Sequence, residues 1–200
     1  MKPLAVAAAR CVARVDADPA EVDASILDGC RAGDPVALTA FVSRYQHRVF
    51  GFLSRTLGAG PHVEDLAQEV FLRACRALPG FDATGSARPS TWLLTIARRL
   101  VIDARRKPRP ALAAVDVDHA PAPETPETER RRIEIGRAIE RAASQLPDDQ
   151  RDVFVLAEFH DVDQREIASI LGVPENTVKT RLFRARERLR ALLRGVWEDM

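Results

Sequence analysis

The chain has 200 residues and a mass of 22.1 kDa, enough for one ordinary domain or for two small domains joined by a linker. Hydrophobic residues make up 46% of it and charged residues 30%, and no apolar run reaches the roughly 18 residues that a membrane span requires. This composition excludes a largely disordered chain and predicts a globular protein without membrane insertion. The formal net charge of +1 argues against a uniformly basic nucleic-acid-binding protein, although basic residues cluster locally.

The three cysteines, Cys11, Cys30 and Cys75, neither form an even set nor show a C-x-x-C spacing. The sequence therefore predicts no disulfide framework, no zinc site and no cofactor, and it favours a reducing, cytoplasmic location. Buried, unreactive thiols are the simplest interpretation of these side chains.

Residues 1–22 are rich in Ala, Val and Arg, and their longest apolar stretch, residues 4–9, is shorter than the core of a signal peptide. We predict a flexible N-terminal tail here, with a short amphipathic docking segment as the alternative.

Three amphipathic helices are predicted between residues 36 and 107, because apolar side chains recur there at three- and four-residue steps. The first spans residues 36–57 and ends at the glycines and proline of positions 58–61. A loop over residues 81–89 separates the second helix from the third, which ends in an Arg-rich segment suited to a helix C-terminus. The predicted inward stripe of the second helix comprises Val63, Leu66, Ala67, Val70, Ala74, Ala77 and Leu78.

Residues 108–128 contain five prolines, and residues 110–129 contain five acidic and no basic side chains. This composition predicts an extended, solvated linker, followed by a second helical block over residues 129–195. Residues 153–156 would suit a buried strand by propensity alone, but their neighbours keep helical spacing and no partner strand is evident. We therefore predict an all-α protein of two small helical domains, residues 23–107 and 129–195, joined by a flexible linker.

Residues 164–184 have the pattern of a helix-turn-helix. Gly172 permits the left-handed conformation that ends a first helix, and Pro174 suits the start of a second one. The predicted inward-facing side chains are Ile167, Ala168 and Leu171 on the first helix and Val178, Leu182, Ala185 and Leu189 on the second.

The outer face of this second helix is strongly basic, since residues 174–194 hold seven basic and two acidic side chains. A solvated surface helix is one interpretation, but the preceding turn motif favours DNA binding in a major groove. Phe183 also projects outward, and we expect it to pack on a neighbouring helix. The candidate DNA-facing residues are Asn176, Thr177, Lys179, Thr180, Arg181 and Arg184.

Glu64, Asp65, Gln68 and Glu69 form an acidic and amide ridge opposite the apolar stripe of the second helix. This ridge is either a solvated surface or a docking site for a basic partner. Paired carboxylates also occur in metal and acid-base sites, but no histidine or further acid recurs nearby at ligand spacing.

A second basic segment follows the loop, where residues 88–109 hold seven basic side chains against Asp103 alone. A flexible loop beside a basic helix could bind single-stranded nucleic acid, because loop pockets can hold extruded bases while Arg side chains bind the backbone. Trp92, at the start of that helix, is more typical of a core residue than of a stacking platform.

In this order, the motifs resemble bacterial RNA polymerase sigma factors of the sigma-70 superfamily, in the extracytoplasmic-function (ECF) group that keeps only the second and fourth conserved regions. The resemblance is carried by E-D-L-A-Q-E-V-F at residues 64–71, by S-T-W-L at 90–93 with I-A-R at 96–98, and by residues 146–186. Each motif alone is moderately specific, and their order around an acidic, Pro-rich linker is highly specific.

The resemblance implies roles for particular residues. Asp65, Gln68 and Glu69 would bind the clamp helices of the largest polymerase subunit, the second domain would bind the flap of the second-largest subunit, and the linker would run towards the RNA exit channel. It also implies an anti-sigma factor as a partner. Minus-thirty-five DNA would be read by the six outer residues named above, and minus-ten DNA by Asp82, Ser86, Arg88, Ser90, Arg98, Arg99, Arg105 and Arg106.

Two positions depart from the family pattern, with Cys75 where Trp is common and Arg99 where Asn is frequent. The residues also leave two alternatives, a one-component helix-turn-helix regulator and an enzyme built on Glu158, His160 and Asp161 or on His47 and His62. The enzyme lacks any H-E-x-x-H or triad context, so we interpret these histidines as surface residues with ordinary partners.

Overall fold

The computed structural model describes residues 21–82, 88–106 and 127–198, and every regular element within those ranges is helical. These elements form two compact units, one on each side of the proline-rich segment. The all-α fold predicted from the sequence is confirmed. Residues 1–20, the loop residues 83–87, which include Ser86, residues 107–126, which hold most of the predicted linker, and residues 199–200 lie outside the described ranges.

The first unit contains four α-helices: α1 (Ala24–Arg31), α2 (Pro35–Leu57), α3 (Pro61–Ala77) and α4 (Pro89–Arg106). A short 3-10 turn, Leu78–Gly80, follows α3. Helix α2 packs against each of the other three helices and supplies the centre of the core. The largest fully buried side chains of this unit include Phe41, Phe52 and Leu53 from α2, Leu78 from the turn, and Leu93 and Leu94 from α4.

The sequence prediction of three helices missed α1. This helix has eight residues and buries only Leu27 and Cys30, which is too few apolar positions to establish a helical period. The stripe predicted for α3 was wrong at Ala77, which is exposed, whereas Phe71 is buried.

The second unit contains α5 (Glu127–Ser144), α6 (Asp148–Phe154), a π-helical segment (Val155–Phe159), α7 (Gln164–Leu171) and α8 (Glu175–Glu198). Residues 153–156 are helical and fully buried, so the helical prediction for them is confirmed. Helix α8 packs against α5, α6 and α7 and therefore organises this unit. Within the helices of both units, none is long and apolar enough to cross a membrane.

Arg151 on α6 binds the carboxyl end of α5. Its guanidinium donates to the backbone carbonyls of Ala143 (3.3 Å), Ser144 (2.6 Å) and Leu146 (2.8 Å). The last carbonyls of a helix lack intrahelical partners, and a cation there also complements the helix dipole. The planar, multiply donating guanidinium therefore joins α5 to α6 through one side chain.

Candidate nucleic-acid interface

The turn between α7 and α8 is held by local hydrogen bonds, one to the Asp163 side chain and the others between backbone groups. Asp163 caps α7 by accepting a hydrogen bond from the Glu166 N–H (2.8 Å), and Gly172 ends the helix in the left-handed conformation (φ 65°, ψ 38°). The Val173 N–H then donates back to the Ala168 carbonyl (3.1 Å), and the Pro174 carbonyl accepts from the Thr177 N–H (2.9 Å) as α8 begins. The predicted helix-turn-helix is therefore confirmed in its geometry.

Helix α8 presents one face to the core and the other to solvent. Val178, Leu182, Ala185 and Leu189 are all buried, as the sequence stripe predicted. Phe183 is 64% exposed, so the prediction that it packs on a neighbouring helix was wrong for the unit as described. Of the candidate DNA-facing residues, Thr177 and Arg181 are half-buried and the exposed ones are Asn176, Lys179, Thr180 and Arg184.

Two acidic residues outside the motif hold basic side chains of α8. Asp149, in the first turn of α6, lies 3.2 Å from the Arg181 Nε. Glu158, in the π-helical segment, accepts hydrogen bonds at its Oε1 from Nε (3.0 Å) and Nη2 (2.5 Å) of Arg186. The first pair lies on the solvent side of α8, whereas the second ties the helix to the interior of the unit.

The residues of the enzyme alternative do not form a recognisable site. His160 is 1% exposed and Glu158 is 3% exposed, so the prediction of a surface histidine was wrong at position 160. Asp161 adopts a positive φ of 50° where the chain leaves the π-helical segment. Across the described ranges, no group of three or more His, Cys, Asp or Glu residues could hold a metal ion.

Helix α4 of the first unit carries the second candidate surface. Arg88, Arg99 and Arg106 are exposed, and Asp82 is exposed where the loop begins. Arg98 and Arg105 are half-buried, and the Arg105 guanidinium donates to the Thr56 carbonyl (3.3 Å) at the end of α2. The candidate residues on the described part of α4 thus include both solvent-facing and packed arginines.

Ser90 differs from its neighbours because it is buried, with 7% exposure. Its hydroxyl donates to Oε1 of Glu21 (2.5 Å), and its N–H donates to Oε2 of the same residue (3.3 Å). We therefore leave Ser90 out of the surface that we propose for DNA. Glu21 and Val22, which the sequence analysis placed in the tail, belong to the packed structure of the first unit.

Trp92 packs against the end of the preceding turn rather than standing free. Its ring centroid lies 4.6 Å from that of Phe81, with the planes tilted by 30°. Phe81 is itself buried, and its carbonyl accepts a hydrogen bond from Arg31 on α1 (2.6 Å). Phe81, the second residue before the undescribed part of the loop, is thus held by both α1 and α4.

The acidic and amide ridge lies on the outer side of α3. Glu64, Asp65 and Gln68 are exposed, and Glu69 is half-buried in an ion pair of 2.7 Å with Arg73. Such an i, i+4 pair on a surface contributes little to stability. The carboxylate and amide groups of the ridge therefore face solvent rather than the core.

Sequence reasoning missed Glu21 and Asp149, which hold the candidate residues Ser90 and Arg181, and it missed the pairing of Glu158 with Arg186. Each lies at least 28 positions from the side chain that it holds, so no local spacing could have indicated the contact. Only Glu21 lay beside a predicted boundary, between the tail and the first domain.

Comparison with protein families gives two matches that follow the two units. Sigma-70 region 2 matches residues 41–110, and Sigma-70 region 4 matches residues 136–189. These matches account for both blocks at once, so they do not favour a one-component regulator with an unrelated N-terminal domain.

Individual relatives point to the same family as these two matches. The chain is 35% identical to the RNA polymerase sigma-H factor of Pseudomonas aeruginosa, covering 84% of this chain and 91% of the relative. It is 34% identical to the ECF RNA polymerase sigma factor SigW of Bacillus subtilis, covering 83% and 94%. In fold it is similar to the sigma factor RpoE of Bartonella quintana, whose structure was solved with the anti-sigma factor NepR (TM-score 0.57, 21% identity, 78% and 96% covered). The chain therefore belongs to the ECF sigma factors of the sigma-70 family, which bind RNA polymerase core, direct it to specific promoters and help to melt DNA at the start of transcription.

Proposed function

We propose that the three exposed surfaces described above divide the work of initiation between them. The ridge of α3, with Asp65, Gln68 and Glu69, binds the clamp helices of the largest polymerase subunit. The observation that supports this assignment is its exposure opposite the buried stripe of α3, which leaves acidic groups available to a basic partner.

The loop that begins at Asp82 and the solvent-facing side of α4 capture and open the minus-ten element. Arg88, Arg99 and Arg106 supply exposed positive charge to the DNA backbone, and Arg98 and Arg105 flank them. Phosphate contacts of this kind position the strand, while the loop holds extruded bases. Ser86 stays in this proposal from its place in the loop sequence alone.

The outer face of α8 reads the minus-thirty-five element as duplex. A major groove accepts one helix, and Asn176, Lys179, Thr180 and Arg184 are the exposed groups that can reach base edges or phosphates. Thr177 and Arg181 flank this face. The second unit would bind the flap of the second-largest subunit at the same time.

The chain performs no chemistry of its own and needs no cofactor, because the polymerase carries the catalytic site. Two weak DNA contacts held on one polymerase reinforce each other through effective concentration, so neither unit needs high affinity by itself. The acidic linker runs towards the RNA exit channel, and the factor acts in the cytoplasm. An anti-sigma factor is a further expected partner, as it is for the Bartonella protein.

The test is run-off transcription with purified core polymerase and a promoter library. We expect specific transcripts only when the chain is added, and poor promoter binding by the isolated chain. A pull-down of core by the wild-type protein provides the independent measurement. A chain that binds duplex DNA alone but never core polymerase would support the one-component regulator instead.

A further inference from the structure

Glu21 joins three parts of the first unit through one carboxylate. Its Oε2 accepts a hydrogen bond from the Tyr45 hydroxyl on α2 (2.6 Å), in addition to the two bonds that Ser90 donates at the start of α4. The next residue, Val22, donates its N–H to the same Tyr45 oxygen (3.2 Å). Glu21 therefore bonds to both α2 and α4, and Val22 bonds to α2.

This carboxylate acts as a helix cap supplied from 69 positions away. The first residue of α4 is Pro89, which has no N–H, so Ser90 carries the first free backbone donor of the helix. A carboxylate at that end also complements the helix dipole. Tyr45 and Ser90 are buried and Glu21 is half-buried, so these hydrogen bonds are partly shielded from water, and loss of Glu21 would leave buried donors without their acceptor.

The Tyr45 hydroxyl is kept protonated by the same arrangement. Burial, followed by its hydrogen bond to Glu21, raises the pKa of Tyr45 well above its ordinary value. The hydroxyl therefore remains a donor to Glu21 throughout the neutral pH range.

The residues around α1 hold both ends of the candidate minus-ten loop. At the first end, Arg31 donates to the Phe81 carbonyl, and Phe81 packs on Trp92. At the second end, Glu21 caps the helix at Ser90, two positions after the exposed Arg88. Phe81 and Ser90, which lie on either side of the loop in the sequence, are therefore both held by residues in or next to α1.

We infer that Glu21 is a positioning residue for promoter opening: it fixes the point at which the minus-ten loop enters α4 and so sets how the loop meets single-stranded DNA. The inference rests on the proposed function of that loop. Glu21 touches no DNA in this scheme and acts through Ser90 and Tyr45.

The test compares full-length variants assembled with core polymerase. Glu21→Ala removes the cap, Glu21→Gln keeps its shape, and Asp23→Asn is the matched control, since Asp23 is exposed and its side chain caps nothing. Three affinities are measured: for core, for a minus-thirty-five duplex, and for a single-stranded minus-ten oligonucleotide. Both DNA probes come from a promoter selected with the wild-type holoenzyme.

We expect Glu21→Ala to weaken single-strand binding about tenfold while core and duplex affinities stay within about twofold, because the Glu21 carboxylate bonds to α2 and α4 rather than to the ridge of α3 or to the second unit. Glu21→Gln should retain most of the binding, since its amide can accept from Ser90 and donate to Tyr45. Asp23→Asn should match the wild type.

Unchanged single-strand binding by Glu21→Ala would overturn the inference, and so would an equal loss of core, duplex and single-strand binding, which indicates general structural support. If that variant fails to fold, Ser90→Ala and Tyr45→Phe each remove part of the same network and are judged by the same comparison. A wild-type holoenzyme that transcribes but never binds the single strand would reject the role of the loop itself.

Discussion

The Asp149 carboxylate lies 3.2 Å from the Arg181 Nε, so an acidic residue of α6 holds a candidate DNA-binding side chain of α8. Both side chains are partly exposed, at 49% and 29%, and such pairs add little to folding stability. We therefore expect the pair to matter for binding: a DNA phosphate that approached Arg181 would compete with this carboxylate and would be repelled by its charge.

Asp149→Asn should raise the affinity of the holoenzyme for a minus-thirty-five duplex by about two- to fivefold, while the free energy of unfolding changes by less than about 1 kcal/mol. Fluorescence anisotropy with labelled duplex and chemical denaturation of the free chain measure the two quantities. Asp148→Asn is the neighbouring control, because Asp148 pairs with Arg151 instead. Weaker binding by Asp149→Asn would mean that the carboxylate orients Arg181 for DNA rather than competing with it.

Arg184→Ala should weaken promoter binding by the holoenzyme by roughly 1 to 3 kcal/mol if Arg184 reads a base, and the loss should depend on the sequence of the minus-thirty-five element. Arg194→Ala removes the same charge from an exposed position near the end of α8 and should cost less. Run-off transcription on matched and substituted promoters separates the two effects. A uniform loss across all sequences would assign Arg184 to the DNA backbone.

Asp65→Arg should strongly reduce binding to core polymerase, because it reverses the charge of an exposed group on the proposed clamp-binding ridge. Asp23→Arg makes the same charge change on an exposed residue outside the ridge and should leave the affinity nearly unchanged. Surface plasmon resonance with immobilised core gives both values. Equal behaviour of the two variants would argue against the ridge as a docking site.

Arg186→Met should destabilise the second unit by about 3 kcal/mol, because it leaves the buried Glu158 carboxylate without its cation. We place the value at the low end of the range for buried pairs, since the Arg186 side chain is 34% exposed. The double variant Arg186→Met with Glu158→Leu should recover much of the loss. Thermal unfolding of the full chain measures these changes, and an additive double variant would contradict a direct pairing.

Cys30 and Cys75 should react slowly with a thiol-alkylating reagent near neutral pH. Burial raises the pKa of both thiols, and the nearby Cys75 raises that of Cys30 further, so little reactive thiolate forms. Since the folded-state pKa exceeds the unfolded one, the associated stability is present at neutral pH and is lost as the pH rises above the ordinary thiol pKa. Mass spectrometry of native and urea-unfolded chain after a timed alkylation provides the comparison, and rapid native labelling of Cys30 would contradict it.

The sequence predicted the long elements of the fold well. Helices α2 and α4 and the stripe of α8 have many apolar residues in phase, and Gly172 marks its turn by a conformation that other residues rarely adopt. Helix α1 was missed because it relies on contacts made elsewhere, including the bond from Arg31 to Phe81. Tertiary contacts, unlike periodicity, leave no local signal.

The sequence indicated which helices carry the candidate surfaces, but it did not indicate which side chains on them are buried. Charge clusters and motif order indicated the surfaces of α3, α4 and α8. The burial of Ser90 could not be predicted from its motif, because Ser90 bonds to Glu21, which lies 69 positions away in the sequence. The exposure of Phe183 was equally hidden, since helical position alone does not say whether a neighbour covers an outward side chain.

The attachment of Arg151 to the end of α5 has a mechanical consequence. Three carbonyls over residues 143–146 share one guanidinium, so tension applied to the chain ahead of α5 must rupture several bonds together before this helix can peel away from α6. A Lys at position 151 would concentrate that load on a single ammonium. A pulling force transmitted through the linker should therefore move α5 and α6 together.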